Sequence, residues 1–299
     1  MFLKKFLFGK KLKETVPIPA QYIKIWNTNW RYLIILDACR YDYFKKLYAS
    51  YSSLQDSKLE KVISCGSSTS EWLRCTFENK ICNDIIYISA NPYINSKGIC
   101  MEYIDLKHYH FYKIIDVWNF GWNEKLGTVH PKEVNKAALI AIKLYKTKRK
   151  RFIIHYLQPH YPYISLEMKG IGIGLEKKRL FKSRPRYLRD RVKGFIRWRL
   201  IELFGPRRGL NLACKLVGTL PTNAELIAKR IGIHGLRKAY EDNLNLALSY
   251  VAKLVENLRG KIIVTSDHGE LLGEEGMYEH LDGIRHPKLI EVPWLEVNR

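Results

Sequence analysis

"KIIVTSDHGELLGE", Lys261 to Glu274, decides how this chain is read. An uninterrupted run of apolar, β-type residues stops at Thr265-Ser266. An acid, an imidazole, a glycine and a second acid follow at once. Short continuous apolar runs mark strands covered on both faces, the pattern of a parallel sheet. In open sheets of that kind, ligands bind beyond the carboxyl ends of the strands. Asp267 and His268 therefore make this strand end the first place to look for chemistry.

Four further runs have the same character: "YLIILDA" (Tyr32 to Ala38), "DIIYISA" (Asp84 to Ala90), "FYKIIDVW" (Phe111 to Trp118) and "RFIIHYL" (Arg151 to Leu157). Helical patterns lie between them. "HPKEVNKAALIAIKLYKTK" places Pro131 in a first helical turn. Residues 236–259 repeat Tyr240, Leu244, Ala247, Leu248, Val251, Leu254, Val255 and Leu258 at three- and four-residue spacing, and Gly260 ends the helix. Strand–helix–strand alternation predicts an α/β fold, with a mostly parallel central sheet and helices on both faces. Residues 165–235 break the rhythm. Within them, residues 176–208 hold 13 Lys and Arg against three acids. The expectation is one domain over 1–299 carrying a basic helical insertion at 165–235.

The 51 basic and 29 acidic residues leave a net charge of +22, which calls for an anionic partner. None of the six cysteines forms a Cys-x-x-Cys pair, so a zinc ribbon is excluded. They read mostly as buried thiols in a reducing compartment. No apolar run reaches the roughly 18 residues of a membrane span. "MFLKKFLFGKKLK" lacks the long apolar region and cleavage site of a signal peptide. Phe2, Leu3, Phe6 and Leu7 form a membrane-surface face or belong to a frayed basic tail. The expected location is cytoplasmic, with peripheral contact at the inner face of the membrane.

Several polar residues fall at the predicted carboxyl edge. Asp37 ends one run, His155 and His160 lie in and after another, and Asp267 and His268 end the opening one. His280 and His286 follow. Carboxylates and imidazoles converging there would hold a divalent metal. In "SCGSSTSEW" (Ser64 to Trp72), small hydroxyls precede a helix start. A hydroxyl there meets free N–H groups and the positive end of the helix dipole. Taken alone, the stretch is better read as an ordinary helix cap at Thr69 or Ser70.

Taken together, "YLIILDACRYDYF", "SSTSEW", "HYLQPHYPY", "VTSDHGELLGEEG" and "RHPKLIEVPWLEV" resemble the alkaline phosphatase superfamily, in its sulfatase-like branch. The resemblance spans Tyr32 to Val297 apart from the basic insertion. It implies a metal-dependent hydrolase of phosphate or sulfate esters with a Thr or Ser nucleophile. Asp37, Asp267, His268 and Thr69 would ligate the metal, and Thr69 would be the nucleophile, with Ser70 as runner-up. His160, His280, His286 and His155 would bind a second metal or the substrate. The ion would be Zn, Mn, Mg or Ca, one or two in number. The Cys/Ser-x-Pro-x-Arg element of true sulfatases is missing, and Gln158 stands where they carry Asp.

Arg40 and Asn91 are candidate substrate contacts, against an ion pair of Arg40 with Asp42 and a turn at Asn91-Pro92. Gly269 and Glu270 are expected to shape the loop behind the metal. A first alternative is a membrane-associated phosphoglycerol- or phosphoethanolamine-type transferase, supported by "GFIRWRLIELFG" (Gly194 to Gly205). A second, of another class, is an inactive basic nucleic-acid-binding protein. No recognised nucleic-acid module is present, so the expected partner is an anionic ester, a glycan or lipid, at an anionic membrane surface.

Overall fold

The computed structural model describes residues 18–99, 108–172, 222–280 and 282–299, with scattered positions between 196 and 216. Its strands are β1 (Tyr32–Leu36), β2 (Lys58–Ile63), β3 (Ile81–Ser89), β4 (His110–Asp116), β5 (Trp122–Asn123), β6 (Thr128–Val129), β7 (Arg151–Tyr156), β8 (Lys261–Thr265), β9 (Leu271–Leu272), β10 (Tyr278–Glu279) and β11 (Glu291–Asn298). Seven of them make the central sheet, in the order β2-β11-β8-β1-β7-β3-β4. β1 pairs in parallel with β7 and β8, and β3 with β7 and β4. β11 runs antiparallel to both of its neighbours. β5 with β6, and β9 with β10, form two small hairpins.

The five apolar runs are β1, β3, β4, β7 and β8. β2 and β11 escape the sequence reading for physical reasons. β2, "KLEKVI", is a half-exposed edge strand whose lysines and glutamate dilute its apolar signal. β11 contains Pro293, which ordinarily argues against a strand.

Alternation along each strand sends successive side chains to opposite faces. Ile34, Leu36, Phe152, Ile154, Ile262 and Val264 pack on one face against Val134, Ala138 and Ala141 of the helix Pro131–Leu144 and Leu244, Leu248 and Val251 of the long helix Asn223–Glu256. Leu33, Ile35, Tyr87, Ile153 and Ile263 pack on the other face, against Trp72, Leu73 and Phe77 of the helix Thr69–Phe77. All five residues of β1 are buried. Each such side chain contributes about 1.5–3 kcal/mol of burial, which holds the strands in the sheet.

The long helix starts at Asn223, inside the stretch expected as an insertion, and breaks its helical path at Gly232, where φ is 75°. The N-terminal basic stretch, residues 173–195 of the insertion, Cys100 and Cys214 lie outside the described residues.

Candidate active site

β1 lies between β7 and β8, so three adjacent carboxyl ends open at one place. Asp37 follows β1 directly, and its backbone N–H donates to Tyr156 O of β7 at 3.2 Å. Ala38 then turns the chain with φ 59°. Its N–H donates to Asp267 Oδ1 at 3.1 Å, and its carbonyl accepts from Tyr240 at 2.7 Å. The exits of β1 and β8 are thereby tied to each other.

Thr69 is the first residue of its helix, and Ser68 caps it, its side chain accepting from Glu71 N–H at 3.3 Å. Glu71 reaches back to the N–H and hydroxyl of Ser67 at 2.9 and 2.8 Å. Gly66 is required in the preceding loop, because a Cβ there would lie 2.3 Å from Trp72 N. A disulfide, Cys65–Cys75, joins that loop to the helix body. This pairing corrects the reading of the cysteines as free thiols. Among the described residues, Cys39 and Cys82 do match it, being free and buried.

Two clusters of ligating groups result. The first is Asp37, Asp267 and His268, all buried, with ligating atoms within 4.8 Å of one another. Thr69 Oγ1 donates to Asp267 Oδ2 at 2.7 Å and lies 3.3 Å from His268 Nε2. That nitrogen is 3.6 Å from Asp37 Oδ1 and 3.5 Å from Asp267 Oδ2. A tetrahedron with arms of about 2.0–2.1 Å has edges of roughly 3.3–3.4 Å, so these separations suit a Zn²⁺-like ion. Burial, then repulsion from Asp267, pushes the Asp37 carboxyl well above its usual range. Burial would raise Asp267 too, but His268, His155 and the Thr69 and Ala38 donors lower it. Burial pushes His268 down to about 4, which keeps it neutral, as a ligand must be. Asp37 Oδ1 is buried without a hydrogen-bond partner. A bound cation would answer both that orphaned oxygen and the crowded charge.

The second cluster is His160, Glu270 and His280. His280 Nδ1 lies 3.1 Å from Glu270 Oε1. Its ring centroid is 4.3 Å from His268 and 5.1 Å from His160, so the two clusters adjoin. Burial opposes charge on His280, but Glu270 outweighs it and raises the imidazole to about 9. Glu270 is lowered in turn by His280, against its own burial. Sequence reading assigned Glu270 to loop shape and missed its place here. The available signal was an acid two residues after a ligating histidine at a strand exit. Gly269 joins the clusters and does allow close packing, since a Cβ there would lie 2.0 Å from Lys288 O.

The remaining candidates divide. Asn91 donates to Asp37 Oδ2 at 2.7 Å, so it holds a candidate ligand. Arg40, read as a substrate contact or an ion-pair partner of Asp42, takes the second role, buried between Asp42 and Glu274 at 2.7 and 2.8 Å. His286 caps a short helix by accepting from Lys288 N–H at 3.0 Å, and it belongs to neither cluster. His155 sits behind Asp267, its Nδ1 2.8 Å from Tyr87 Oη, outside the second cluster. Gln158 is tied to Thr128 and Val129 at 3.1 Å. Ser70 Oγ contacts Ser68 Oγ at 3.0 Å and Asp282 at 3.4 Å, whereas Thr69 faces the first cluster.

No protein-family model and no curated protein matches the chain. Solved structures do. The soluble domain of lipooligosaccharide phosphoethanolamine transferase A from Neisseria meningitidis matches with a TM-score of 0.53 and 14% identity, over 91% of this chain and 78% of that one. The integral membrane protein that carries this domain matches with a TM-score of 0.51 and 14% identity, over 91% of this chain and 48% of that one. The C-terminal periplasmic domain of phosphoethanolamine transferase EptC from Campylobacter jejuni follows, with a TM-score of 0.49, 16% identity and 89% and 77% coverage. The fold is thus the alkaline phosphatase-like α/β fold that the motifs implied. The cytoplasmic expectation is corrected by the same findings. The matched soluble domain belongs to an integral membrane protein, and the Cys65–Cys75 disulfide does not suit the reducing cytoplasm.

Proposed function

We propose that this chain is a metal-dependent enzyme that cleaves phosphate esters through Thr69, passing the phosphoryl group to water or to an acceptor alcohol. The observation that carries this reading is the Thr69 hydroxyl, at a helix N-terminus, donating to Asp267 at 2.7 Å with His268 and the orphaned Asp37 beside it. Asp37, Asp267, His268 and Thr69 would hold the ion. Once bound, it supplies charge stabilisation at the ester oxygens and lowers the pKa of the threonine hydroxyl. An imidazole among oxygen donors favours Zn²⁺ or Mn²⁺ over Mg²⁺ or Ca²⁺.

The chain's own residues account for the remaining steps. Thr69 Oγ1 attacks phosphorus, and its proton passes to Asp267 Oδ2. The ester P–O bond breaks, and the departing alkoxide takes a proton from His280, which is charged at neutral pH. Neutral His280 then accepts a proton from the incoming water or alcohol as it attacks phospho-Thr69. Asp267 returns its proton to Thr69. The start of the Thr69–Phe77 helix adds the positive end of its dipole beside the same anionic group. With the sulfatase Cys/Ser-x-Pro-x-Arg element missing, phosphate is favoured over sulfate.

Transfer to an acceptor alcohol, on a glycan or a lipid, is the second reading. The likeness of the fold to phosphoethanolamine transferases favours it. In either case residues 1–299 form one domain, and the basic stretch within 165–235 meets the anionic substrate or membrane surface.

The test is turnover of p-nitrophenyl phosphate and bis(p-nitrophenyl) phosphate by chelator-stripped protein, with Zn²⁺, Mn²⁺, Mg²⁺ or Ca²⁺ restored in turn. Turnover should return with Zn²⁺ or Mn²⁺ and be lost in Asp267→Asn. No turnover with any ion contradicts the reading.

A further inference from the structure

We infer that Tyr87 and His155 are a positioning pair that holds Asp267 Oδ2 from behind, and so set the geometry of the candidate metal cluster without touching ion or substrate. The inference rests on the metal reading above.

In register, His155 on β7 pairs with Ile35 of β1 and Ser89 of β3, two strands over from β8, which Asp267 follows. It is 1% exposed. Nδ1 lies 2.8 Å from the Tyr87 hydroxyl. Nε2 has no hydrogen-bond partner and lies 3.9 Å from Asp267 Oδ2, the oxygen that also accepts from Thr69. A neutral imidazole carries one donor and one acceptor nitrogen. A carboxylate in front of Nε2 selects the Nε2–H form, because the other tautomer would set a lone pair against the negative oxygen. Nδ1 is then the acceptor, and Tyr87 donates to it. At 3.9 Å the Nε2–H contact is charge to dipole rather than a hydrogen bond.

Packing fixes the ring as firmly. Trp72 meets His155 edge to face at 6.2 Å, and Phe77 and Phe111 hold Tyr87 at 6.5 and 5.0 Å. A buried nitrogen without a partner costs about 1–3 kcal/mol, so an apolar residue would suit this core better if the imidazole had no task. Hydrogen-bonded partners of metal ligands typically change metal affinity by about 10–100-fold when removed, which sets the upper end for this longer contact.

Two measurements test the pair. Nitrogen-15 NMR of metal-free protein should show His155 protonated on Nε2; protonation on Nδ1 overturns the inference. Zn²⁺ affinity by chelator competition should fall about tenfold in Tyr87→Phe and about 10–100-fold in His155→Leu. His155→Gln, which keeps an N–H near the Nε2 position, should recover most of the loss. Wild-type affinity in His155→Leu, or a His155→Gln variant as weak as the leucine one, overturns it. If His155→Leu does not fold, Tyr87→Phe and the tautomer decide. Wild-type protein that binds no Zn²⁺ contradicts the metal reading instead, and the tautomer then judges the pair alone.

Discussion

The two adjoining clusters use the same residue types and reach opposite electrostatic states. Asp37, Asp267 and His268 come from strand exits and are fully buried, with two carboxylates and a neutral imidazole. Their negative charge exceeds what the protein neutralises, and Asp37 Oδ1 is left without a partner. His160, Glu270 and His280 come from the loop after β7 and the region of the β9–β10 hairpin, and here one carboxylate is matched by a raised imidazole. The first is built to attract a cation, the second to meet an anion and exchange a proton. Sequence spacing does not distinguish them, because both contain His and acid. Counting buried charge does.

The comparison breaks most sharply at the first cluster. Thr69→Ala should lower turnover by roughly three orders of magnitude or more, as loss of a nucleophile does, while Zn²⁺ remains bound through the other groups. Asp37→Asn should lose the ion itself, seen as loss of Zn²⁺ in equilibrium dialysis. The second cluster should behave differently. His280→Gln should lower kcat by about 10²-fold, the scale of a lost acid–base group, and leave Zn²⁺ affinity near wild type. If His280→Gln abolished metal binding, the division between the clusters would fail.

Gly269 links them, so it couples their fates. Gly269→Ala would place a Cβ 2.0 Å from Lys288 O and should cost about 1–3 kcal/mol in chemical denaturation. Both metal affinity and turnover should fall with it.

The smallest expected effect is the pH dependence of stability in metal-free protein. His280 titrates near 9 when folded and near 6.5 otherwise, so its stabilisation is complete below 6.5 and is lost as pH rises through 9. His155 and His268 titrate near 4 when folded, so their contribution is present above 6.5 and is lost as pH falls toward 4. Tm should peak near neutrality, and His280→Gln should flatten only the alkaline side. An unchanged alkaline limb in that variant would contradict the assigned charge on His280.

Much of this was legible because both sheet and site obey local rules. Five strands announced themselves as apolar runs, and strand ends located Asp37, Asp267 and His268. Thr69 was separable from Ser70 only with the family resemblance; in space the first faces Asp267 and the second Asp282. What stayed hidden depends on distant partners. Arg40 lies between Asp42 and Glu274, and nothing beside it in the chain announces the second partner. His286 reads like the site histidines but serves its own helix. The Cys65–Cys75 bond spans ten residues without a motif, because a loop folding over a helix brings the two together. Gln21 is another such case, bridging Thr265, Ser266 and Trp72 from a helix whose sequence gives no hint of it.

The central claim is that the strand-end cluster makes Thr69 a nucleophile. Its most direct test is peptide mass mapping of Zn²⁺-loaded protein quenched in acid during turnover of an aryl phosphate. The account predicts phosphate on Thr69, present with metal and absent in Asp37→Asn. Phosphate on Ser70, or full turnover by Thr69→Ala, would contradict it.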